Sequence, residues 1–282
     1  MGTKLRIYPG KPYGFTHIGG KDNQEDCLYP NINEITENTL SSLFLICDGV
    51  GGRDNGEVAS ATVCEAFSHF FQEHPLAENE IFTEERFNEA LSYAYDQLDT
   101  RATDERSSKM ATTLAFAMFH AGGCLVAHIG DSRIYQIRPN SKYKIKFQTF
   151  DHSYLNMLQQ KEEISPEEIA NHPLRHMIMR SMQPNQGEKR CEADILNLEE
   201  FQEGDYIFLC SDGVLEQIDN ETLCTVLSSQ ETDSQKIERL EQLCKGSYDN
   251  YSALLIPIMV KSIDSPSKNI RKIQSWWRNL WK

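Results

Sequence analysis

The sequence predicts an α+β fold of the layered sandwich type, in which strands and helices occupy separate stretches of the chain. Four strand-like apolar runs follow one another between residues 112 and 148 without a helical pattern between them. A Gly122-Gly123 turn joins the first two runs, as in an antiparallel hairpin. Helical patterns come before and after this group, so the alternating strand–helix units of a parallel sheet are not expected.

The predicted elements support this class one by one. Residues 42–47 form an apolar run that predicts a buried strand, and the apolar positions of residues 57–73 have helical spacing. A second helix is expected over 83–106, because its first turn carries two glutamates. The further predicted strands are 112–119, 124–129, 133–137, 143–148, 191–198, 205–210 and 251–260. The further predicted helices are 153–171, 219–228 and 233–245.

Composition and charge narrow the classes of function. The 282 residues include 42 acidic and 28 basic ones, and a net charge of -14 argues against nucleic acid as the main partner. No run approaches the roughly 20 apolar residues of a membrane-spanning helix, and the start lacks the apolar segment of a signal peptide. The eight cysteines show no C-x-x-C spacing, so reduced thiols are expected rather than a zinc site. We therefore expect a cytoplasmic protein.

Five acidic segments place an aspartate beside a glycine or another small or polar residue, at the edge of a predicted strand. They are Gln24-Glu25-Asp26, Cys47-Asp48-Gly49, Gly130-Asp131-Ser132, Ser211-Asp212-Gly213 and Asp249-Asn250. Converging carboxylates repel one another, so either their pKa values rise or a cation neutralises them. Mg²⁺ and Mn²⁺ prefer such oxygen ligands. One Asp-Gly pair alone would more simply be a turn, but five such segments predict a metal centre.

With these motifs the chain resembles the metal-dependent protein phosphatases of type 2C, in the style of their compact bacterial members. The segments that carry the resemblance are Lys21 to Asp26, Phe44 to Gly52, Met110 to Leu114, His128 to Tyr135, Asp151 to Ser153, Gly204 to Gly213 and Asp249 to Ser252. The resemblance implies a β-sandwich of two antiparallel sheets flanked by helix pairs, with the metal centre at one end. It places a phosphatase domain in residues 1–262, expected as a monomer.

The same resemblance implies a set of metal ligands for two cations, Mn²⁺ or Mg²⁺. Asp48 would bridge both ions, and the carbonyl of Gly49 would bind one of them. Asp212 and Asp249 would complete the set for the second ion. Asp131 would form a weaker third site together with Asp212.

Other positions of the resemblance surround these ligands. Asp26 would bind a metal directly or through water, with Glu25 and Asn250 as outer neighbours. Lys21 stands where the family usually has an arginine that grips the substrate phosphate. Lysine provides a point charge without the bidentate fork, so weakened substrate binding is expected. Val50 follows Asp-Gly where some members carry a histidine as a proposed general acid.

The reaction that the resemblance implies is hydrolysis of phosphoserine and phosphothreonine in the substrates of a Ser/Thr kinase. A water activated by two cations would attack phosphorus, and no protein nucleophile is expected. Two alternatives stay open, namely a non-catalytic module that binds phosphoprotein or metal, and a phosphoesterase for small molecules. Residues 153–180 match the family's mobile flap, which affects substrate choice. His152 is expected to be structural rather than a proton donor.

Residues 263–282 form a C-terminal tail that the resemblance does not cover. Four apolar residues have helical spacing there: Ile270, Ile273, Trp277 and Leu280. Residues 261–282 also contain all three tryptophans of the chain and six basic side chains against one acidic one. Such a helix suits an anionic membrane surface or the groove of a protein partner. Docking on the protein's own body, or fraying, is the alternative.

Overall fold

A computed structural model of the protein describes residues 4–36, 41–50, 55–165 and 177–263, together with residues 168, 172 and 174. In these residues eleven strands form two sheets that pack face to face. Helices cover the outer face of each sheet. The resulting order of layers is helices, sheet, sheet, helices, which confirms the predicted α+β sandwich flanked by helix pairs.

All strand pairs are antiparallel, and each sheet draws on both halves of the chain. The first sheet has the order β1-β11-β10-β7-β8, with β2 paired to the same long strand β11. Its strands are β1 (Lys4–Pro9), β2 (Tyr13–His17), β7 (Arg133–Ile137), β8 (Ile145–Gln148), β10 (Tyr206–Cys210) and β11 (Tyr251–Ile263). The second sheet has the order β3-β4-β5-β6-β9. Its strands are β3 (Asp26–Tyr29), β4 (Leu43–Asp48), β5 (Leu114–His120), β6 (Gly123–Ile129) and β9 (Asp194–Leu198).

The helices divide between the two outer faces. Those described are α1 (Gly56–Glu73), α2 (Glu84–Arg101), α3 (Tyr154–Gln160), α4 (Asp212–Leu215), α5 (Asn220–Leu227) and α6 (Asp233–Cys244). Helices α1 and α2 share a core with the second sheet, whereas α5 and α6 share one with the first. Capping begins several of them. The Thr83 hydroxyl accepts a hydrogen bond at the start of α2, and Thr232 and Gln235 form a capping box at α6.

Strand β4 illustrates why the sequence builds layers. Leu43, Leu45 and Cys47 face α1 and α2, and the alternate residues Phe44 and Ile46 face the first sheet. All five side chains are buried. A strand that is apolar on both faces must lie between two apolar layers, because successive side chains point to opposite sides. The uninterrupted apolar run therefore places β4 inside the sandwich, with its end at the edge where Asp48 lies.

The structure corrects one predicted helix and adds four elements for which the sequence analysis gave no range. The helix predicted over 153–171 is wrong, since α3 ends at Gln160 and a turn follows. Glu162 in that turn has φ 58, a left-handed conformation that a continuing helix excludes. The other predicted helices and strands are present within a few residues, but no residue range was predicted for β1, β2, β3 or the short α4.

Only Ile263 of the predicted tail is among the described residues. Residues 264–282 lie outside the described residues, so the predicted amphipathic helix stays a prediction. The domain boundary at 262 stays a prediction as well, and β11 extends to Ile263. Among the described helices, none combines the length and the apolar character needed to cross a membrane.

Candidate metal centre

Five strand ends converge at one edge of the sandwich and bring the predicted aspartates together. Asp48 ends β4 and is the Cα partner of Asp26, which begins β3. Asp212 follows β10, and Asp249 precedes β11, the antiparallel neighbour of β10. Asp131 lies in the connection from β6 to β7, which passes from one sheet to the other. Antiparallel pairing puts the end of one strand beside the start of the next, so the five carboxylates lie near one another.

Hydroxyl groups tie the two sheets together at this edge. Ser211, which follows β10 in the first sheet, donates a hydrogen bond to Oδ2 of Asp26 in the second sheet, at 2.8 Å. The backbone N–H of Ser252 donates to the same Ser211 Oγ at 3.0 Å. The backbone N–H of Asp48 also donates to a hydroxyl group, Thr113 Oγ1. Buried hydrogen bonds of this kind hold the aspartates in place without help from solvent.

Burial and repulsion from neighbouring carboxylates raise the pKa values of three of the aspartates. Burial, with repulsion from Asp26 and Asp212, raises the pKa of Asp48 well above its usual range. Burial, with the charges of Asp212 and Asp249, raises the pKa of Asp26 to about 7, although hydrogen bonds from serines oppose the shift. Burial and the charge of Asp212 also raise the pKa of Asp131 well above its usual range. Carboxylates in such surroundings ionise readily only when a cation offsets the repulsion.

Two buried carboxylate oxygens indicate whether a cation fits this centre. Oδ1 of Asp26 and Oδ1 of Asp131 are buried and have no hydrogen-bond partner among the described residues. A buried acceptor without a partner is costly for the folded state. Carboxylate oxygens are the ligands that Mg²⁺ and Mn²⁺ prefer. The donor set therefore fits hard divalent cations.

Lys21 lies at the rim of this cluster. Its Nζ is 2.8 Å from Oδ1 of Asp249 and 6.0 Å from the ring centre of Tyr248. Burial disfavours the ammonium, but the hydrogen bond and the charge of Asp249 outweigh burial and raise the pKa of Lys21. The structure thus places a permanently charged lysine beside the acidic centre, at the position from which the resemblance implies phosphate binding.

A buried asparagine positions the loop that carries Lys21. Oδ1 of Asn250 accepts a hydrogen bond from the backbone N–H of Glu25 at 2.7 Å. Its Nδ2 donates to the carbonyl oxygens of Ile18 and Asn23. Burial raises the pKa of Glu25. Asn250 and Glu25 therefore lie next to the aspartate cluster, and Asn250 fixes both ends of the loop before β3.

Two glycines allow the backbone to close around the centre. The N–H of Gly49 donates to the carbonyl of Glu25, which joins the end of β4 to the loop before β3. A Cβ on Gly213 would lie 2.1 Å from the carbonyl oxygen of Asn250. Helix α4, which begins at Asp212, can approach Asp249 and Asn250 this closely only because residue 213 has no side chain.

A second cluster, which the sequence did not predict, lies beside the centre. His128, His152 and Asp194 bring three potential ligand atoms within 4.8 Å of one another. The guanidinium of Arg180 already lies there, 2.8 Å from Oδ1 of Asp194 and 2.9 Å from Nε2 of His152. A fixed positive charge thus occupies the position of a cation. The Asp-His-Ser motif gave the one local signal, because Asp194 lies 42 residues further along the chain.

The segment matched to a flap is described at its two ends. Ser153 and Ile178 form an isolated bridge, and the N–H of Tyr154 donates to the carbonyl of Met177 at 2.8 Å. The N–H of Met179 donates to the carbonyl of His152 at 2.7 Å. The base of this segment is therefore a short antiparallel pairing next to His152.

Comparisons with known proteins agree with this architecture. Residues 14–243 match the family model "Protein phosphatase 2C". The serine/threonine protein phosphatase PstP of Mycobacterium tuberculosis is 28% identical over 239 residues, which cover 84% of this chain and 42% of PstP. The serine/threonine phosphatase stp of Listeria monocytogenes is 29% identical over 224 residues, covering 76% and 83%. The chain thus spans less than half the length of its mycobacterial relative.

Solved structures show the same likeness in three dimensions. The catalytic domain of PstP in complex with two manganese ions superposes with a TM-score of 0.72 at 25% identity, covering 91% of this chain and 100% of that one. The match in fold, the extent of the family model and the five strand-end aspartates lead to one conclusion. This chain belongs to the protein phosphatase 2C family.

Proposed function

We propose that this protein is a metal-dependent protein phosphatase that hydrolyses phosphoserine and phosphothreonine, with Mn²⁺ or Mg²⁺ as cofactor. The observation that carries the proposal is the pair of buried carboxylate oxygens on Asp26 and Asp131 that the described residues leave without a hydrogen bond. Family membership supports the reaction class. The names of PstP and stp as serine/threonine phosphatases support the substrate class.

The proposed ligands follow from the geometry and the resemblance together. Asp48 and the carbonyl of Gly49 would hold the two main ions with Asp212 and Asp249, while Asp26 would bind directly or through water. Asp131 would add a weaker third site. Cations bound there would offset negative charge on the phosphoryl oxygens and would make an attacking water more acidic. The residues anchored at strand ends keep these oxygens fixed, so little reorganisation is needed during the reaction.

The residues around the proposed ligands would affect how substrate binds at this centre. A phosphate dianion is repelled by uncompensated aspartates, so cations are required for substrate binding as well as for chemistry. Lys21 supplies a positive charge at the rim and would attract the phosphate. Val50 cannot donate a proton, so the departing serine or threonine oxygen would take its proton from solvent.

Finer statements about partners are also proposals. The substrates would be phosphoproteins made by a Ser/Thr kinase, and the chain would act as a monomer in the cytoplasm. Its basic, tryptophan-rich tail would attach it to an anionic membrane surface, a proposal supported by sequence alone. Co-sedimentation of the full chain and of residues 1–262 with phosphatidylserine vesicles tests this. Equal, negligible sedimentation of both would refute membrane attachment.

The function itself is tested by hydrolysis of a phosphothreonine peptide with Mn²⁺, with EDTA, and with the Asp212→Asn variant. We expect turnover that requires Mn²⁺ and falls at least about a hundredfold in the variant. Asp219→Asn is the matched control, because Asp219 is an exposed N-cap of α5 and asparagine caps a helix equally well.

The outcome separates the alternatives. Folded protein that binds the phosphopeptide without turnover would favour a binding module. Turnover of p-nitrophenyl phosphate without turnover of any phosphopeptide would favour a phosphoesterase for small molecules.

A further inference from the structure

A cluster of charged and polar side chains lies between the base of the 153–180 segment and the start of β9. Arg180 donates to Oδ1 of Asp194 at 2.8 Å and also contacts the carbonyl of Glu192. Nε2 of His152 lies 3.1 Å from Oδ2 of Asp194. One carboxylate therefore contacts both the guanidinium and the imidazole, whose nearest nitrogens lie 2.9 Å apart.

The hydrogen bonds define the tautomer of His152. Its Nδ1 accepts from the backbone N–H of Gly130 at 3.1 Å, so the proton of the neutral ring is on Nε2, which faces Asp194. Burial, with the nearby His128 and Arg180, lowers the pKa of His152 to about 4 even though Asp194 opposes the shift. His128 stacks on the same ring, with 4.4 Å between ring centres. The imidazole is thus neutral, oriented and fixed on three sides.

His152 in turn forms two hydrogen bonds with Gly130, the residue before Asp131. Its backbone N–H donates to the carbonyl of Gly130 at 2.9 Å, while its ring accepts from the N–H of the same glycine. Gly130 has φ 104, a conformation that a side chain would disfavour. The direction in which Asp131 leaves the backbone therefore depends on two hydrogen bonds from one histidine.

We propose that Arg180 is a positioning residue for the weakest metal site: through Asp194 and His152 it fixes the backbone of Gly130, and with it the direction of the Asp131 carboxylate. This inference rests on the phosphatase function proposed above. It assigns no contact between Arg180 and substrate or metal. The linkage runs from Arg180 to Asp194, from Asp194 to the imidazole, and from the imidazole to the N–H of Gly130.

The charges favour this role over a separate metal site in the same place. A zinc ion on His128, His152 and Asp194 would have to displace the guanidinium, which already neutralises the carboxylate. It would also have to displace the proton on Nε2 of His152. Arginine performs the task well, because its planar fork can hold Asp194 and the carbonyl of Glu192 together.

The test uses the full chain without metal first. Hydrogen exchange of the Gly130 amide, measured by NMR, reports directly on its bond to the imidazole. We expect His152→Phe, which keeps the ring but removes the acceptor, to accelerate exchange about tenfold or more. Arg180→Met and Asp194→Asn should each accelerate it about three- to fivefold, since Asp194 is partly exposed and its ion pair is screened. Arg180→Lys should recover part of the protection.

Titration with Mn²⁺, followed by electron paramagnetic resonance, gives the second readout. The weakest site should lose about three- to fivefold in affinity in Arg180→Met, while the tighter sites change by less than about twofold. Arg190→Met is the matched control, because Arg190 also holds two aspartates, Asp96 and Asp99, but on α2. It should leave both Gly130 exchange and the weakest site unchanged.

Two results would overturn the proposal. The first is a Gly130 amide that exchanges equally slowly in Arg180→Met and in the unaltered protein. The second is faster exchange that leaves every Mn²⁺ affinity unchanged. Failure of the phosphatase proposal would be distinct, because it would appear as an absence of turnover in the unaltered protein with Mn²⁺.

Discussion

Lys21 forms an ion pair with Asp249, with 2.8 Å between Nζ and Oδ1, although the two residues come from opposite ends of the chain. The pair joins the loop that would bind phosphate to a carboxylate that would bind metal. A cation placed on Asp249 competes with the ammonium for that carboxylate. Metal binding should therefore free Lys21 to face the substrate.

Substitution of Lys21 tests this relationship. Lys21→Met should raise KM for a phosphothreonine peptide about five- to tenfold with little change in kcat, because a rim charge acts mainly on binding. Lys21→Arg should lower KM, since the fork can contact two phosphate oxygens. Steady-state kinetics at saturating Mn²⁺ measure both. A drop in kcat of Lys21→Met with unchanged KM would contradict a role confined to binding.

Asp48→Asn should separate metal binding from folding. The variant should lose Mn²⁺ binding and turnover, because the proposed bridging carboxylate is gone. Its melting temperature without metal should stay equal or rise, since one member of a set of repelling buried carboxylates becomes neutral. Calorimetry in EDTA, with Asp219→Asn as control, measures this. A large fall in the metal-free melting temperature would show that Asp48 stabilises the fold by itself.

Gly213→Ala should damage both stability and activity. The new methyl would meet the backbone carbonyl of Asn250, which cannot move aside as the end of a flexible side chain could. We expect a loss of about 1–3 kcal/mol in the free energy of unfolding, as for an overpacked core. Gly122→Ala is the control, because its methyl would meet only side-chain atoms, those of His120 and Ile81, and none closer than 3.2 Å. Denaturant unfolding of the two variants should therefore differ clearly, and similar midpoints would disprove the close approach.

The low pKa of His152 should decrease the free energy of unfolding of the protein in acid. Its folded pKa is about 4, below the ordinary value of 6.5, so the unfolded chain binds a proton that the folded protein does not. The stability associated with this histidine is complete above pH 6.5 and is lost as pH falls from 6.5 towards 4. The loss should amount to about 1–2 kcal/mol once solvent screening is allowed for.

Comparison of variants separates the pH-dependent stability due to His152 from that due to the other titrating groups. The aspartates of the centre, whose pKa values are raised, change stability in the opposite direction over the same range. The difference between unaltered protein and His152→Phe should therefore shrink as pH falls from 6.5 to 4. His69→Phe, at an exposed position on α1, is the control. A difference that stays constant with pH would refute the neutral state of His152.

The sequence predicts most of what depends on local pattern. The apolar run of β4 and the Asp-Gly that follows it specify both a buried strand and a carboxylate at its end. The helix predicted over 153–171 failed because Glu162 takes a left-handed conformation that no apolar spacing reveals. Strands β1 and β2 were missed because each is short and gains its stability from pairing with β11 at the far end of the chain.

The contacts around the site were harder to predict than its carboxylates. Each strand-end aspartate can be recognised from the residues around it in the sequence. The sheet topology then brings the five aspartates together. The partner of His152 is set by the register of β9 on β6, and the partner of Lys21 by the turn before β11. Pairings across such separations follow from tertiary packing, for which residue spacing carries no signal.

The position of β11 has a consequence for protein synthesis. This strand is made last among those described, yet it lies between β10 on one side and β1 and β2 on the other. Asp249 and Asn250 come immediately before it. A nascent chain can therefore close neither the sheet nor the acidic centre until β11 has left the ribosome. Chains that end before β11 would carry the earlier aspartates but no assembled site, so such incomplete copies should lack the proposed phosphatase activity.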